Sequence, residues 1–342
     1  MKQKNTQKII IVKSKTRLEQ LTAKFNTKGQ ADFYLKRQRD NLLEKQDFLS
    51  KKMRKSLASN YATMQTNVGS GEFKDFQEEH DAYHRSLERV QKICSQFLKV
   101  KTIESDFLPS YLFTAGDIVV VVGRDGLVAN TAKYVNGLPI IGVNPDKQRN
   151  DGVLLRFDPQ TLQKALEKVL RDSHERAFVT MAEVVLDDGQ RLLAFNDFFI
   201  GPKTHTSARY QITYQGFTEN HSSSGVIVAT GAGSTGWLSS LFNMAAGIYQ
   251  VFGQAVPLDR QTQGWETEQL IFVVREPFLS KMSHIDIPAG ILQASEALIL
   301  ESLMPNDGMI FSDGITEDAL QFNSGKIAKI GRASEKAHLV MP

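Results

Sequence analysis

VVVVGRDGLVAN, Val119 to Asn130, is the stretch on which the fold of this chain turns. Ile118 to Val122 is apolar at every position, as a strand in a parallel sheet covered by helices on both faces must be. It stops at a glycine-rich turn that carries a carboxylate. Strand ends of this kind present backbone amides at a sheet edge, where phosphorylated ligands are commonly held. From the residues alone Asp125 has three candidate jobs: taking the proton of a hydroxyl nucleophile, orienting a hydroxyl, or capping the next helix, expected over Ala129 to Tyr134. No GxxxxGK[ST] loop is present, and no GxGxxG follows the first strand, which argues against a P-loop enzyme and an ordinary dinucleotide-binding dehydrogenase.

Outward from this turn the chain reads as α/β and then as β. Ile9 to Val12 is a short strand, after which Ser14 or Thr16 caps a helix carrying Leu18, Leu21 and Phe25. Residues 38–60 and 73–99 read as helices separated by the flexible NVGSGEF. Pro139 to Val143 is a further buried strand ending in GVNPD. Asp158-Pro159 opens a helix, with Asp as cap and Pro in the first turn. Residues 1–172 are therefore expected to form an open, mostly parallel α/β nucleotide-binding domain with a helical insertion at about 38–99. Residues 173–330 alternate as strands, at Ala177 to Val185, Gln190 to Phe195, Ala208 to Tyr214, Gly225 to Ala229, Gln269 to Arg275, Ala297 to Glu301, Gly308 to Ser312 and Lys326 to Ile330. They are interrupted by a helix over Gly236 to Tyr249. This is a β-rich substrate-binding domain, sandwiched or layered. Residues 331–342 either return to the first domain or trail off.

Composition narrows the class. A chain of 342 residues with 41% hydrophobic content suits two substantial domains. The net charge of +3 gives no argument for nucleic acid, and no run approaches the length of a membrane span. The basic cluster from Lys36 to Lys55 reads as a solvated helical face. The start lacks a signal-peptide core. The single cysteine, Cys94, excludes an intrachain disulfide and points to a reducing compartment, cytoplasm or organelle matrix. It reads as a core residue. His80 and His84 share a helix face in HDAYH, yet no third ligand is evident in sequence, so no metal site is expected there.

Three further segments carry polar chemistry. Asn144 in GVNPD is suited to a ribose or phosphate contact, or to satisfying its own turn. Asn196-Asp197 interrupts an apolar run. A buried Asn196 must be paired and can match an adenine edge or ribose hydroxyls, Asp197 can accept from a diol, and the plain alternative is a bulge or turn. Ser222-Ser-Ser-Gly225 leads into a strand. TGAGSTGW at 230–237 then opens a helix whose amides suit an anion.

Together, GRDG at 123–126, GVNPD at 142–146, Asn196-Asp197 and TGAGSTGW at 230–237 resemble, in order and spacing, the NAD kinase family. Asn196-Asp-Phe-Phe-Ile-Gly201, Ser223-Ser-Gly225, Arg275-Glu-Pro277 and Phe311-Ser-Asp-Gly314 look closest to its mitochondrial-type branch. The resemblance implies an N-terminal α/β domain and a β-rich C-terminal domain with the site between them. It also implies phosphoryl transfer from ATP, with Mg2+, to the 2′-hydroxyl of the adenosine ribose of NAD, giving NADP, in a homodimer or homotetramer. Carried over, Asp125 activates or orients the hydroxyl, and Gly123, Arg124 and Gly126 admit phosphate. Asn144, Asn196, Asp197, Ser224, Thr230, Ser234, Thr235 and Trp237 hold the nucleotides.

The sequence departs from the family pattern at three places. Arg124 stands where the family has glycine, Leu127 replaces a threonine, and Asp197 shortens a glutamate by about 1.5 Å, roughly one methylene. Arg124 either closes the phosphate space or grips a phosphate bidentately. The competing expectations are a non-catalytic nucleotide-binding or regulatory protein, and a kinase for another hydroxyl-bearing substrate, a lipid included. Lys133 reads as a surface lysine or a phosphate contact.

Overall fold

The computed structural model describes residues 7–37, 40–41, 73–253 and 262–342. The helix expected over 38–60 and the NVGSG break fall almost wholly outside the described residues. Four short strands build the first part: β1 (Lys8–Lys13), β2 (Lys99–Glu104), β3 (Ile118–Val122) and β4 (Pro139–Val143). They pair in parallel in the order β2-β1-β3-β4.

Both faces of this sheet are covered, which is why its central strands are apolar throughout. Helix α1 (Arg17–Phe25) begins with a capping box. The Glu19 amide donates to Thr16 Oγ1 at 3.2 Å, and the Thr16 amide donates to Glu19 Oε2 at 2.7 Å. Thr16, not Ser14, is therefore the cap. Helix α2 (Phe73–Ser95) buries Tyr83, Leu87, Val90 and Cys94 against Ile9, Ile11, Ile118 and Val120. Burial pushes the Cys94 thiol up to about 12, so it is inert packing. Helix α3 (Asp125–Ala132) packs Val128 and Ala132 on the opposite face, against Ile10, Val12, Val119 and Val121. Each such fully buried Val or Ile stabilises the fold by about 1.5–3 kcal/mol.

Three boundaries differ from expectation. Helix α2 ends at Ser95, and the residues read as its last turn pass into β2. Helix α3 opens at Asp125, four residues before Ala129, so GRDG is a helix start and not a free turn. Helix α4 (Leu162–Leu170) opens after Thr161. Asp158 Oδ1 accepts the amides of Gln160 and Thr161 at 2.9 and 2.8 Å, so it shapes a local turn ahead of the helix rather than capping it at Pro159.

The second part contains β5 (Glu175–Leu186), β6 (Arg191–Ala194), β7 (Asp197–Pro202), β8 (Ala208–Tyr214), β9 (Phe217–Ser223), β10 (Val226–Ala229), β11 (Leu270–Val274), β12 (Ala289–Leu292), β13 (Ala297–Ser302), β14 (Gly308–Ser312), β15 (Ile315–Gln321) and β16 (Ile327–Met341). A six-stranded antiparallel sheet runs β12-β11-β10-β7-β14-β15. It packs on a second antiparallel layer that includes β5, β8, β13 and β16, with Phe198, Tyr210, Phe272 and Phe322 fully buried between them. β16 is far longer than the five residues expected from its alternation. Its end pairs in parallel with β4, at His338 with Pro139 and Leu339 with Ile140, so one sheet of ten strands joins the two parts. Helix α5 (Trp237–Phe252) buries only Leu238, and its Ile248, Val251 and Phe252 are exposed.

Candidate functional site

Strand β3 delivers Gly123, Arg124 and Asp125 to the sheet edge. Arg124 is the cap residue of α3, with extended backbone and no side-chain cap bond, and Asp125 is the first helical residue. Capping is therefore not what Asp125 does. Its carboxylate accepts the amide of Leu154 at 2.7 Å and that of Val153 at 3.2 Å, from the loop beyond β4. Two amides fix its orientation, and the start of the helix favours its negative charge.

Beside it lies a cavity of about 330 Å³ bordered by Gly123, Arg124, Gly126, Asp146, Arg149 and Arg17. Ile315 closes it from the β-rich part, so the cavity sits between the two parts. Its cations are held by carboxylates. Glu79 bridges Arg17 at 2.6 Å and Arg124 at 2.7 Å, and Arg149 meets Asp146 at 2.7 Å. The three arginine side chains are 33–57% exposed while Glu79 and Asp146 are 14% and 12% exposed, so the guanidiniums keep a solvent-facing side while they neutralise largely buried carboxylates. Arg124 is exposed at the rim, turned to Glu79; Asp125 itself does not border the cavity, although its neighbours Arg124 and Gly126 do.

Asn130 also borders the cavity. It is buried, and its Oδ1 has no partner among the described residues. A buried acceptor of this type calls for a donor from elsewhere. Its place in a helix read as starting at Ala129 masked it in sequence. Asn144, by contrast, spends both ends of its amide on its own loop: Oδ1 accepts the Asp146 amide at 3.0 Å, and Nδ2 donates to the Asn150 carbonyl at 3.1 Å. It positions Pro145 and Asp146, which border the cavity, and does not border it itself.

The remaining candidates form a second group on the β-rich part, and none of them borders that cavity. Asn196 lies in the turn between β6 and β7. The Thr230 amide donates to its carbonyl at 2.9 Å, while Thr230 Oγ1 donates to the Phe195 carbonyl at 2.6 Å. A Cβ on Gly233 would sit 2.1 Å from the Asn196 carbonyl oxygen, so this position of TGAGSTG is glycine for close packing. Ser234 Oγ donates to the Gly231 carbonyl at 2.7 Å. Thr235 is exposed. Trp237 stacks on Phe199 at 5.7 Å, with Arg275 over both rings. Ser224 joins this group through its amide, which donates to the Arg275 carbonyl at 2.9 Å.

The turn at Asp313-Gly314 links the two groups. Both residues have positive φ, 54° and 73°, as a tight hairpin between β14 and β15 needs. Asp313 accepts the amides of Phe195 and Asn196 at 3.0 and 2.6 Å, and Ile315 two residues on borders the cavity. Lys133 supports this turn from behind. Its side chain is 1% exposed, and Nζ donates to Ser312 Oγ at 2.9 Å and to Asp318 at 3.1 Å. The surface reading of Lys133 is thus overturned: it lies at the end of α3 and bonds across to the β-rich part. No local pattern marks it, because its partners stand some 180 residues away in sequence.

Asp197, which is buried, and Asp313, which is half-buried, are an interacting carboxyl pair. Asp197 is pushed up to about 7, first by burial and then by the charge of Asp313. Burial also raises Asp313, but Lys133 and the backbone amides favour its anion. The pair accordingly holds a proton up to about neutrality, which makes it a hydrogen-bond donor rather than the pure acceptor expected of Asp197. A raised carboxyl pKa destabilises the fold as pH rises. The penalty is absent below about pH 4 and complete above about pH 7. Asp197→Asn should therefore flatten the fall in urea-unfolding stability between pH 5 and pH 8, by on the order of 2 kcal/mol. Parallel profiles for variant and parent would remove Asp197 from that role.

The elements define a two-part protein, α/β and then antiparallel β, with a cation-rimmed cavity at the ends of parallel strands. Its fold is that of NAD kinases. It superposes on yeast NADH kinase complexed with NADH at a TM-score of 0.54, with 15% identity, over 76% of this chain and 80% of that one. It superposes on an NAD kinase from Archaeoglobus fulgidus in complex with ATP at 0.51, with 19% identity, over 74% and 88%. In sequence it is similar to NAD kinase of Clostridium kluyveri, 27% identical over 139 residues, and of Marinomonas sp., 30% identical over 132 residues. The matched region is 38% and 36% of this chain, and the chain spans 46% and 44% of those relatives' lengths. No family profile matches it.

Proposed function

We propose that this chain is a kinase that transfers the γ-phosphoryl group of ATP to the 2′-hydroxyl of the adenosine ribose of NAD, giving NADP. The observation that carries the reading is Asp125, oriented by two amides beside the cation-rimmed cavity. In this reading Asp125 takes the proton of the acceptor hydroxyl, whose oxygen attacks phosphorus as ADP leaves. Arg17, Arg124 and Arg149 stabilise the phosphates, and Asn130 hydrogen-bonds a ribose hydroxyl. Phe199, Trp237 and Ser224, with Asn196 and Asp197, hold the rest of the dinucleotide. Thr230 and Ser234 keep that wall in shape, and Thr235 is exposed to a ligand.

Glu79 and Asp146 at the cavity are engaged by arginines. That suits a Mg2+ ligated mainly by the donor phosphates, where it neutralises charge. The likeness of NDFFIG, SSG and REP to the mitochondrial-type branch supports placing the chain there, and its single cysteine suits a reducing compartment such as the cytoplasm.

The test is a panel of hydroxyl acceptors incubated with ATP and Mg2+, with products read by mass. NADP formation supports the reading. Tight NAD binding without product from any phosphoryl donor would favour the non-catalytic alternative.

We also propose a homo-oligomer, dimer or tetramer, with the exposed apolar residues of α5 in the interface. Light scattering should give at least twice the chain mass. Ile248→Glu with Phe252→Glu should lower it, and an unchanged mass would remove α5 from the interface.

A further inference from the structure

Helices α1 and α2 cross beside the cavity and bring together three residues that no step of the proposed reaction uses. His80 and His84 stand one turn apart on α2, and Glu19 faces them from α1. One ligand atom from each lies within 4.8 Å of the others, and all three side chains are half-buried, within reach of a solvated ion. The sequence shows the two histidines but not the third ligand, because Glu19 lies about 60 residues away.

The donors are already oriented. Glu19 Oε2 is occupied by the Thr16 amide at 2.7 Å, which leaves Oε1 presented 3.2 Å from His84 Nε2. His80 Nδ1 lies 2.9 Å from Thr16 Oγ1, and its Nε2 has no hydrogen-bond partner among the described residues. Metal-binding imidazoles are characteristically held in this way through their other nitrogen. Zinc with ligand bonds of about 2.0–2.1 Å in tetrahedral geometry needs donors ~3.3 Å apart. The Glu19–His84 pair already meets that separation.

We propose that Glu19, His80 and His84 form a divalent transition-metal site, of zinc type, that clamps α1 to α2. Two imidazoles and one carboxylate favour Zn2+ or Co2+ over Mg2+, which prefers oxygen ligands. Three protein donors leave a fourth position for water. The clamp bears on the cavity because Arg17 and Gln20 of α1 and Glu79 and Tyr83 of α2 are part of its wall. The site needs no nucleotide and is independent of the kinase reading.

The experiment titrates the full-length, nucleotide-free protein with Zn2+ by calorimetry, and with Co2+ by visible absorption. The expected result is one ion per chain, an intense Co2+ band of low coordination number that Zn2+ abolishes, and a higher unfolding midpoint with Zn2+. His84→Ala should weaken Zn2+ at least about tenfold and lose the band. Glu19→Gln, which retains both capping hydrogen bonds, should do the same and decides the matter if the histidine variant does not fold. No Zn2+ uptake by the parent, or undiminished uptake by Glu19→Gln and by folded His84→Ala, overturns the proposal.

Discussion

Asp125→Asn should lower the rate of NADP formation by about 10²–10⁴-fold, the usual contribution of a positioned general base. The loss should appear in kcat, with NAD binding nearly unchanged, because the substitution removes a proton acceptor and not a wall of the cavity. One complication is foreseeable. The carboxylate accepts two amides, from Val153 and Leu154, and an asparagine can accept only one of them while turning its own N–H groups toward the other. The 153–154 loop should loosen, at a cost of about 1–3 kcal/mol for the amide left unsatisfied. Stability and kcat must therefore be measured on the same preparation. A purely structural Asp125 would lose kcat only in proportion to unfolded protein, and cooling or adding NAD would restore it. A folded Asp125→Asn with near-parental kcat would remove Asp125 from the chemistry.

The parts of the fold legible in sequence are those governed by short-range physics. Ile9 to Val12 and Ile118 to Val122 announce a covered parallel sheet because nothing polar interrupts them. The cap was legible as Ser14 or Thr16, and Glu19, which completes a capping box with Thr16, is the local residue that decides between them. Helix starts are less legible where two signals compete. Asp158-Pro159 has the residues of a helix start, but Asp158 closes its own turn and delays α4 to Leu162. The same competition hid the opening of α3, where a glycine pair on either side of Arg124-Asp125 reads as loop.

The site was legible as a set of segments and not as an arrangement. Gly123, Arg124 and Gly126 of GRDG and the aspartate of GVNPD do meet at one cavity, with Asp125 just outside its lining. Asn196 and TGAGSTG do meet each other, but through backbone contacts that a list of polar side chains does not suggest. What joins the two groups is the Asp313-Gly314 hairpin, whose sequence signal is strong and local, and Lys133, whose signal is absent. Long-range pairing of a lysine is invisible because any lysine at the end of a helix is equally well explained by the helix dipole.

Lys133→Ala should be the most destabilising single change at the junction of the two parts, costing about 3–5 kcal/mol, because it strands a buried carboxylate. Asp318 is nearly buried, its Oδ1 already lacks a partner among the described residues, and its other oxygen would keep only the Tyr134 hydroxyl. Against a typical stability of about 5–15 kcal/mol this is a large fraction. The origin of the loss can be separated from simple cavity formation. Lys133→Met keeps most of the stem volume and should still cost several kcal/mol. Adding Asp318→Asn to Lys133→Met removes the stranded charge and should recover about 2 kcal/mol. Urea midpoints of the two single variants and the double variant give the coupling directly. A single-variant cost under about 1 kcal/mol, or additive effects in the double variant, would show the pair to be no more than a surface contact. The consequence extends to the proposed chemistry. Asp125 opens α3 and Lys133 follows its last residue, so one short helix carries the carboxylate at one end and the tie to β14 and β15 at the other. Releasing that tie frees Ile315 from the cavity wall and removes the positive charge that partly offsets the burial of Asp313. Lys133→Met should therefore lower kcat as well as stability, and restoring stability through Asp318→Asn should leave kcat low.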